Sequence, residues 1–308
     1  AGGKGYGQEV DFYVSKEGSD ASGNGSESKP FASIQKAIGT SKSGDIILVL
    51  PGTYKENINY NGKDITVASK YLTTEDKSYI ESTIIDGNYN DTTVKMSGME
   101  DSKPSGILIG LSVINGKNSG GSGGGVICTS SSKILNCIIN NNYAGSSGGG
   151  VYFNDQSRGA IIKNCILNGN IAGEKGGGIE ARGSVKINNC VIVNNTGGGI
   201  GCYQSNVTIL NSTILGNSGG AHTRYFGIQA HNNATINIKN TIVYDNGNRS
   251  IGGTNEGHVI NVSYSNVEGG YSGIGNVDYS PLFVDKKNED FHLGNDSPLL
   301  GIGSSVSG

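Results

Sequence analysis

The chain has 308 residues, enough for one large domain with a sizeable buried core. It holds 52 glycines, 35 asparagines, five prolines and no tryptophan. Gly and Asn fill helices poorly, which excludes a long helical bundle, and the glycines follow no collagen period. A net charge of −3 without a basic run argues against a nucleic-acid partner. The longest apolar run, Ile46 to Leu50, is too short for a transmembrane segment. This composition points to β structure with many sharp turns.

In chain order, Pro30 to Ile38 is the one good amphipathic helix, with Phe31, Ile34 and Ile38 on one face and Gly39 as its stop. It is expected to cover the open N-terminal end of the fold. Ile46 to Val49, Ile65 to Val67, Thr83 to Ile85 and Ile107 to Ile114 read as inward strands, with turns at Asp86-Gly87 and Asn115-Gly116. From residue 123 the chain repeats. Gly-Gly-Gly-(Val/Ile) recurs at Gly123 to Val126, Gly148 to Val151, Gly176 to Ile179 and Gly197 to Ile200, with a degenerate copy at Gly227-Ile228. Behind each copy runs a second signature. It aligns Asn136, Asn164, Asn189, Asn211 and Asn240 in one column, and Asn142, Asn170, Asn195, Asn217 and Asn246 in another. Between them lies a small column: Cys137, Cys165, Cys190, Ser212 and Thr241.

A unit of roughly 21–29 residues with short apolar alternations and Gly/Asn corners fits one coil of a parallel β-helix. Stacked coils place equivalent residues above one another, so a buried asparagine column can bond rung to rung. Both asparagine columns, Asn211 included, are expected to run as such ladders. Five cysteines cannot pair completely, no spacing suggests a metal site, and Cys137, Cys165 and Cys190 are expected as buried thiols. The tail from Ser263, with Val284, Phe291, Leu293, Leu299 and Leu300, is expected to cover the far end. The domain reading is therefore single: 1–45 tail and cap, 46–262 coils with the clearest repeats at 123–246, and 263–308 C-terminal cap and tail.

The stretch Asp11 to Tyr54, with DFYVSKEGSD, PFASIQKAI and GDIILVLPGTY, resembles the opening of secreted right-handed β-helix proteins of the pectate-lyase-like superfamily. The GGG(I/V) and NC.I..NN units resemble repeats of polymorphic outer-membrane proteins, and Ser265 to Gly303 is similar to the end of the choice-of-anchor Q surface proteins. The resemblance implies an all-β, single-stranded right-handed parallel β-helix (solenoid) with a short N-terminal capping helix, in an extracellular or cell-surface setting. Ala1, in place of an initiator Met, fits a processed secreted chain and a trimmed one equally. The superfamily mixes lyases, epimerases, hydrolases and adhesins, so it transfers no mechanism.

Alternation after each glycine corner sends Val126, Val151, Ile179, Ile200 and Ile228 inward, followed two residues on by Cys128, Phe153, Ala181, Cys202 and Ala230. The outward columns are then Ile127, Tyr152, Glu180, Gly201, Gln229 and Thr129, Asn154, Arg182, Tyr203, His231. Aromatic plates beside hydrogen-bonding groups suit sugar rings. A merely solvated face would also be polar. The insertion Gly219 to His231 adds His222, Arg224 and Tyr225 as glycan-binding candidates, or as groups that pack a loop. A uronate lyase would use Arg182, Tyr203 and His231 as base and charge stabiliser, with Asn154 and Glu180 as weak Ca²⁺ ligands. The acid cluster of calcium-dependent relatives and the paired carboxylates of a glycosidase are missing. The leading expectation is therefore a surface or structural protein that self-associates or adheres, with no catalysis and no cofactor beyond Ca²⁺. The alternatives are a uronate-polysaccharide lyase, or non-catalytic glycan binding by the same face. The partner is a second copy of the chain or an extracellular polysaccharide.

Overall fold

In the computed structural model, which describes residues 9–96, 106–219, 227–247, 249–254 and 256–305, the chain winds into stacked parallel coils. A full coil carries three strands. The first follows the glycine corner, as in Val126–Cys128, Ile200–Tyr203, Ile228–His231 and Ile251–Thr254. The second includes Thr66–Ser69, Ile107–Ile109, Lys133–Leu135, Asn206–Leu210, Thr235–Lys239 and Val259–Ser263. The third includes Thr83–Asp86, Ser112–Ile114, Ile138–Asn140, Ile166–Asn168, Val191–Val193, Thr213–Leu215 and Ile242–Tyr244. In Val151–Lys163 and Ile179–Asn188 the first two strands are continuous, which joins both columns into one 16-stranded sheet.

Val126, Val151, Ile179, Ile200, Ile228 and Ile251 stack in register, and Cys128, Phe153, Ala181, Cys202 and Ala230 stack beside them. Apart from Ile251, which is half-buried, these side chains form the buried axis of the solenoid. The glycine corner exists because coils touch there backbone to backbone. A Cβ on Gly149 would lie 2.4 Å from the Ile171 carbonyl oxygen and 2.6 Å from that of Gly177.

The two asparagine columns part company. Asn142, Asn170, Asn195, Asn217 and Asn246 are buried. Each Oδ1 from Asn170 onward accepts from the backbone N–H and the Nδ2 of the preceding rung, at 2.9–3.1 Å. Asn136, Asn164, Asn189, Asn211 and Asn240 instead supply the left-handed residue of the two-residue corner between second and third strands, with φ of 51–56°. Their side chains face solvent. Asn164 donates to Asn136 at 3.0 Å, Asn189 to Asn164 at 2.9 Å and Asn240 to Asn211 at 3.1 Å. The expectation that Asn211 is buried is corrected. A left-handed corner residue points out of the coil, and asparagine is chosen for that backbone. All five cysteines are buried and free, as expected of small core residues.

The helix α1 runs Ile34–Thr40, later than its pattern suggested. Ser33 caps it, and the Glu56 carboxylate accepts from the Ile34 and Gln35 N–H groups at 2.9 Å, satisfying donors of the first turn. Gly39 lies inside the helix and Ser41 ends it. Ile34, Ala37 and Ile38 are buried against the first strands. Two short helices that the sequence did not announce, α2 (Tyr71–Thr74) and α3 (Ser78–Ser82), form an excursion between a second and a third strand.

The C-terminal segment does not simply cover the last coil. Tyr271 packs on the core there, and Val277 bridges to Asn266. Beyond it, Phe283–Asp285 and Asp290–Leu293 form an antiparallel hairpin that folds back along the third-strand side. Glu289 accepts from Asn168 Nδ2 at 2.8 Å, and Lys286 pairs with Asp245. Val284 and Leu300 are therefore solvent-exposed, whereas Leu299 is buried. Among the described residues no helix is long and apolar enough to cross a membrane.

Candidate functional site

The outward positions of the first strands come together as alternation requires, on successive coils. Tyr152, Glu180, Gly201 and Gln229 are register partners, and Tyr203 is the partner of His231. Arg182 lies between two tyrosines, its guanidinium carbon 4.7 Å from the Tyr203 ring centre and 5.7 Å from that of Tyr152. Both distances suit cation–π attraction. Tyr152, Asn154, Arg182 and Tyr203 are half-buried and form the accessible part of the face.

Glu180, Gln229 and His231 are not solvated, contrary to expectation, with exposures of 0%, 3% and 2%. The missing side chain at Gly201 explains the first. Glu180 folds over it, so that a Cβ on residue 201 would lie 2.0 Å from Glu180 Oε2. His231 hydrogen-bonds through Nδ1 to Thr254 Oγ1 on the next coil. Among the described residues neither Glu180 oxygen has a hydrogen-bond partner, and the same holds for Arg182 Nε, Gln229 Oε1 and His231 Nε2. Burial raises the Glu180 carboxyl to about 7, against the opposing pull of Arg182 and Lys175 and with a smaller push from Glu174. Arg182 Nε stands 3.8 Å from Glu180 Oε1, beyond hydrogen-bond reach. Burial, then Lys175 and His258, lowers His231 to about 4 and keeps it neutral.

Asn154 and Glu180 turn in different directions. Asn154 Oδ1 turns along its own strand to the Gln156 N–H at 3.1 Å, while Glu180 leans toward the opposite coil. Among the described residues no three His, Cys, Asp or Glu side chains are grouped to hold a metal. His222, Arg224 and Tyr225 lie outside the described residues. Of the lyase trio, Arg182 lies over the Tyr203 ring, and His231, the register partner of Tyr203, is buried.

Clefts among the described residues lie elsewhere. Three of about 470, 490 and 520 Å³ share residues along the corner between second and third strands. Asn136, Asn164 and Asn189 line them, with Ile138, Ile166 and Val191 beside the amides. Tyr71 of the helical excursion walls one side and His292 of the returning hairpin the other. Sequence reasoning missed this corner. Its only signal was an asparagine column taken for a buried one.

These features define a class, a parallel β-solenoid that carries, among the described residues, a polar strand face and a cleft-bearing corner. The sequence matches the family model for the right handed beta helix region over residues 56–225 and 124–288, so the chain belongs to that family. No curated protein matches it in sequence. Among solved structures it is similar to a pectin methylesterase from Aspergillus niger, at 15% identity and a TM-score of 0.52 over 87% of this chain and 90% of that one. A pectin methylesterase from carrot gives 13% and 0.51 over 87% and 83%. Pectate lyase Pel9A gives 17% and 0.48 over 98% and 94%. At such identities the likeness is one of fold.

Proposed function

We propose that this chain binds an acidic extracellular polysaccharide on the Tyr152–Arg182–Tyr203 face without transforming it. The observation that carries this reading is Arg182. Its guanidinium is held between two aromatic rings, a third of the side chain is exposed, and its nearest acid is buried, raised toward neutrality and out of hydrogen-bond reach. An arginine so pre-oriented loses little freedom on meeting a carboxylate, and tyrosines offer plates to the sugar rings. Asn154 adds an amide at the rim. The test is retention on immobilised polygalacturonate against a neutral glucan. The parent chain is expected to be retained only by the acidic polymer, and Arg182→Ala to lose about tenfold in affinity, one charge-assisted contact's worth. Equal retention of Arg182→Ala, or retention by the glucan, removes the reading. Growth of ultraviolet absorbance from an unsaturated product would put a lyase in its place.

A second reading, self-association, has its own observation. At the last coil, Ile251–Thr254 and Val259–Ser263 each pair with a strand on one side only among the described residues, and Val259 is exposed. Asn276 Nδ2 already takes the Val262 carbonyl, so the template offered to another chain is the Ile251–Thr254 edge. Light scattering and negative-stain imaging are expected to show multimers. A uniform monomer of the parent chain would exclude it.

A further inference from the structure

The exposed asparagine ladder already receives a polypeptide at one rung. At Asn240 the chain's own C-terminal segment runs past the corner. Asn240 Nδ2 donates to the Ser304 carbonyl at 2.7 Å, and the Ser304 N–H donates back to Asn240 Oδ1 at 3.0 Å. Lys239 Nζ reaches the Ser305 carbonyl at 3.2 Å. Leu299 and Ile302 of the same segment line a small cleft with Asn240, Thr241 and Ile242. One side-chain amide thus reads both polar groups of one backbone unit, and apolar side chains settle next to it.

The repeat places the same three positions on earlier coils. Asn136-Cys137-Ile138 and Asn164-Cys165-Ile166 are the equivalents of Asn240-Thr241-Ile242, as are Asn189 and Val191 at the next rung, and together they line the 490 Å³ cleft. There no segment of the described chain lies over the amides. Ile166 is 41% exposed at its floor. The ladder also breaks at this point. Asn211 donates to Asn188 Oδ1 at 3.2 Å instead of to Asn189, which leaves Asn189 Oδ1 without a ladder donor. Tyr71 and His292 bound the cleft on either side, and Lys77 and Glu81 balance each other in charge along its wall. An uncharged amide strip flanked by aliphatic side chains suits a neutral, extended backbone better than a charged polymer.

We propose that the cleft over Asn136, Asn164 and Asn189 is a docking site for an extended polypeptide segment of a partner chain, read through its backbone amides as Asn240 reads Ser304. The partner's apolar side chains sit against Ile138, Ile166 and Val191. This site is separate from the Arg182 face, and its test does not depend on that reading.

The experiment uses the full chain and a fluorescein-labelled synthetic peptide of the tail sequence Leu299–Ser305, followed by fluorescence polarisation. Saturable binding is expected. It should weaken at least tenfold in the double variant Asn164→Gly/Asn189→Gly, which removes the amides while keeping a residue suited to the left-handed corner. Ile166→Ser, a second variant outside the ladder, should weaken it several-fold. Arg182→Ala should leave it unchanged. Absence of binding, or equal binding by the double variant, overturns the proposal. So does displacement of the labelled peptide by a neutral oligosaccharide that itself loses affinity in the double variant, since the cleft would then be a sugar site.

Discussion

Asn195→Leu is expected to lower unfolding free energy by about 4 kcal/mol, while Asn164→Gly, one column away, should move it by about 1 kcal/mol or less. The difference is one of satisfaction. Asn195 is fully buried and its side chain makes four hydrogen bonds: Oδ1 accepts from Asn170 N and Nδ2, and Nδ2 donates to the Leu167 carbonyl and Asn217 Oδ1. Leucine would fill the space yet orphan buried groups on both neighbouring coils, each at a cost of about 1 kcal/mol or more. Asn164 faces water, and its main service is to hold φ at 56°. Glycine does that without strain, whereas Asn164→Ala should cost about 1–2 kcal/mol from the left-handed backbone. Equilibrium urea unfolding of the three variants checks the ranking. Equal effects at Asn195 and Asn164 would mean that the two ladders are not distinct in burial.

The second large effect is a pH dependence set by Glu180. Its folded value of about 7 stands above the ordinary 4.5, so the folded state holds a proton that the unfolded chain releases between those limits. Below about pH 4.5 both states are protonated and Glu180 costs nothing. As pH rises toward 7 stability falls, and above 7 the full penalty, about 3 kcal/mol, is present. Glu180→Gln should remove that slope and be the more stable protein at about pH 8, with little difference from the parent at about pH 4. His231 acts in the opposite sense. Its value is lowered from 6.5 to about 4, so its contribution is present above 6.5 and is lost as pH falls through 4. Thermal unfolding across this range checks both slopes. A Glu180→Gln profile parallel to the parent's would show that the carboxylate is solvated. The same ionisation bears on the proposed glycan face. Above pH 7 an ionised Glu180 competes for Arg182, so polygalacturonate retention should weaken as pH rises through 7.

The inward columns were legible because a strand alternates with period two and a solenoid stacks like on like. Val151, Ile179, Ile200, Phe153 and Ala181 lie where the letters put them. The cysteines follow for the same reason. Arg182 beside Tyr152 and Tyr203 was legible too, since it needs only register. Exposure was not. An outward residue is solvated only if its neighbours on adjacent coils leave it so, and Gly201 let Glu180 fold down over it.

The repeat, the coil and the two asparagine columns were thus determined by the sequence alone, through short-range alternation and turn chemistry that act within each unit. Which ladder is buried was decided by tertiary structure, because a single left-handed residue at the corner turns Asn164 outward while Asn170, in the next corner, points in. The cleft was decided there as well. Its walls come from Tyr71 and His292, far apart in the chain, and only the winding of the solenoid and the return of the hairpin bring them to the same amide strip.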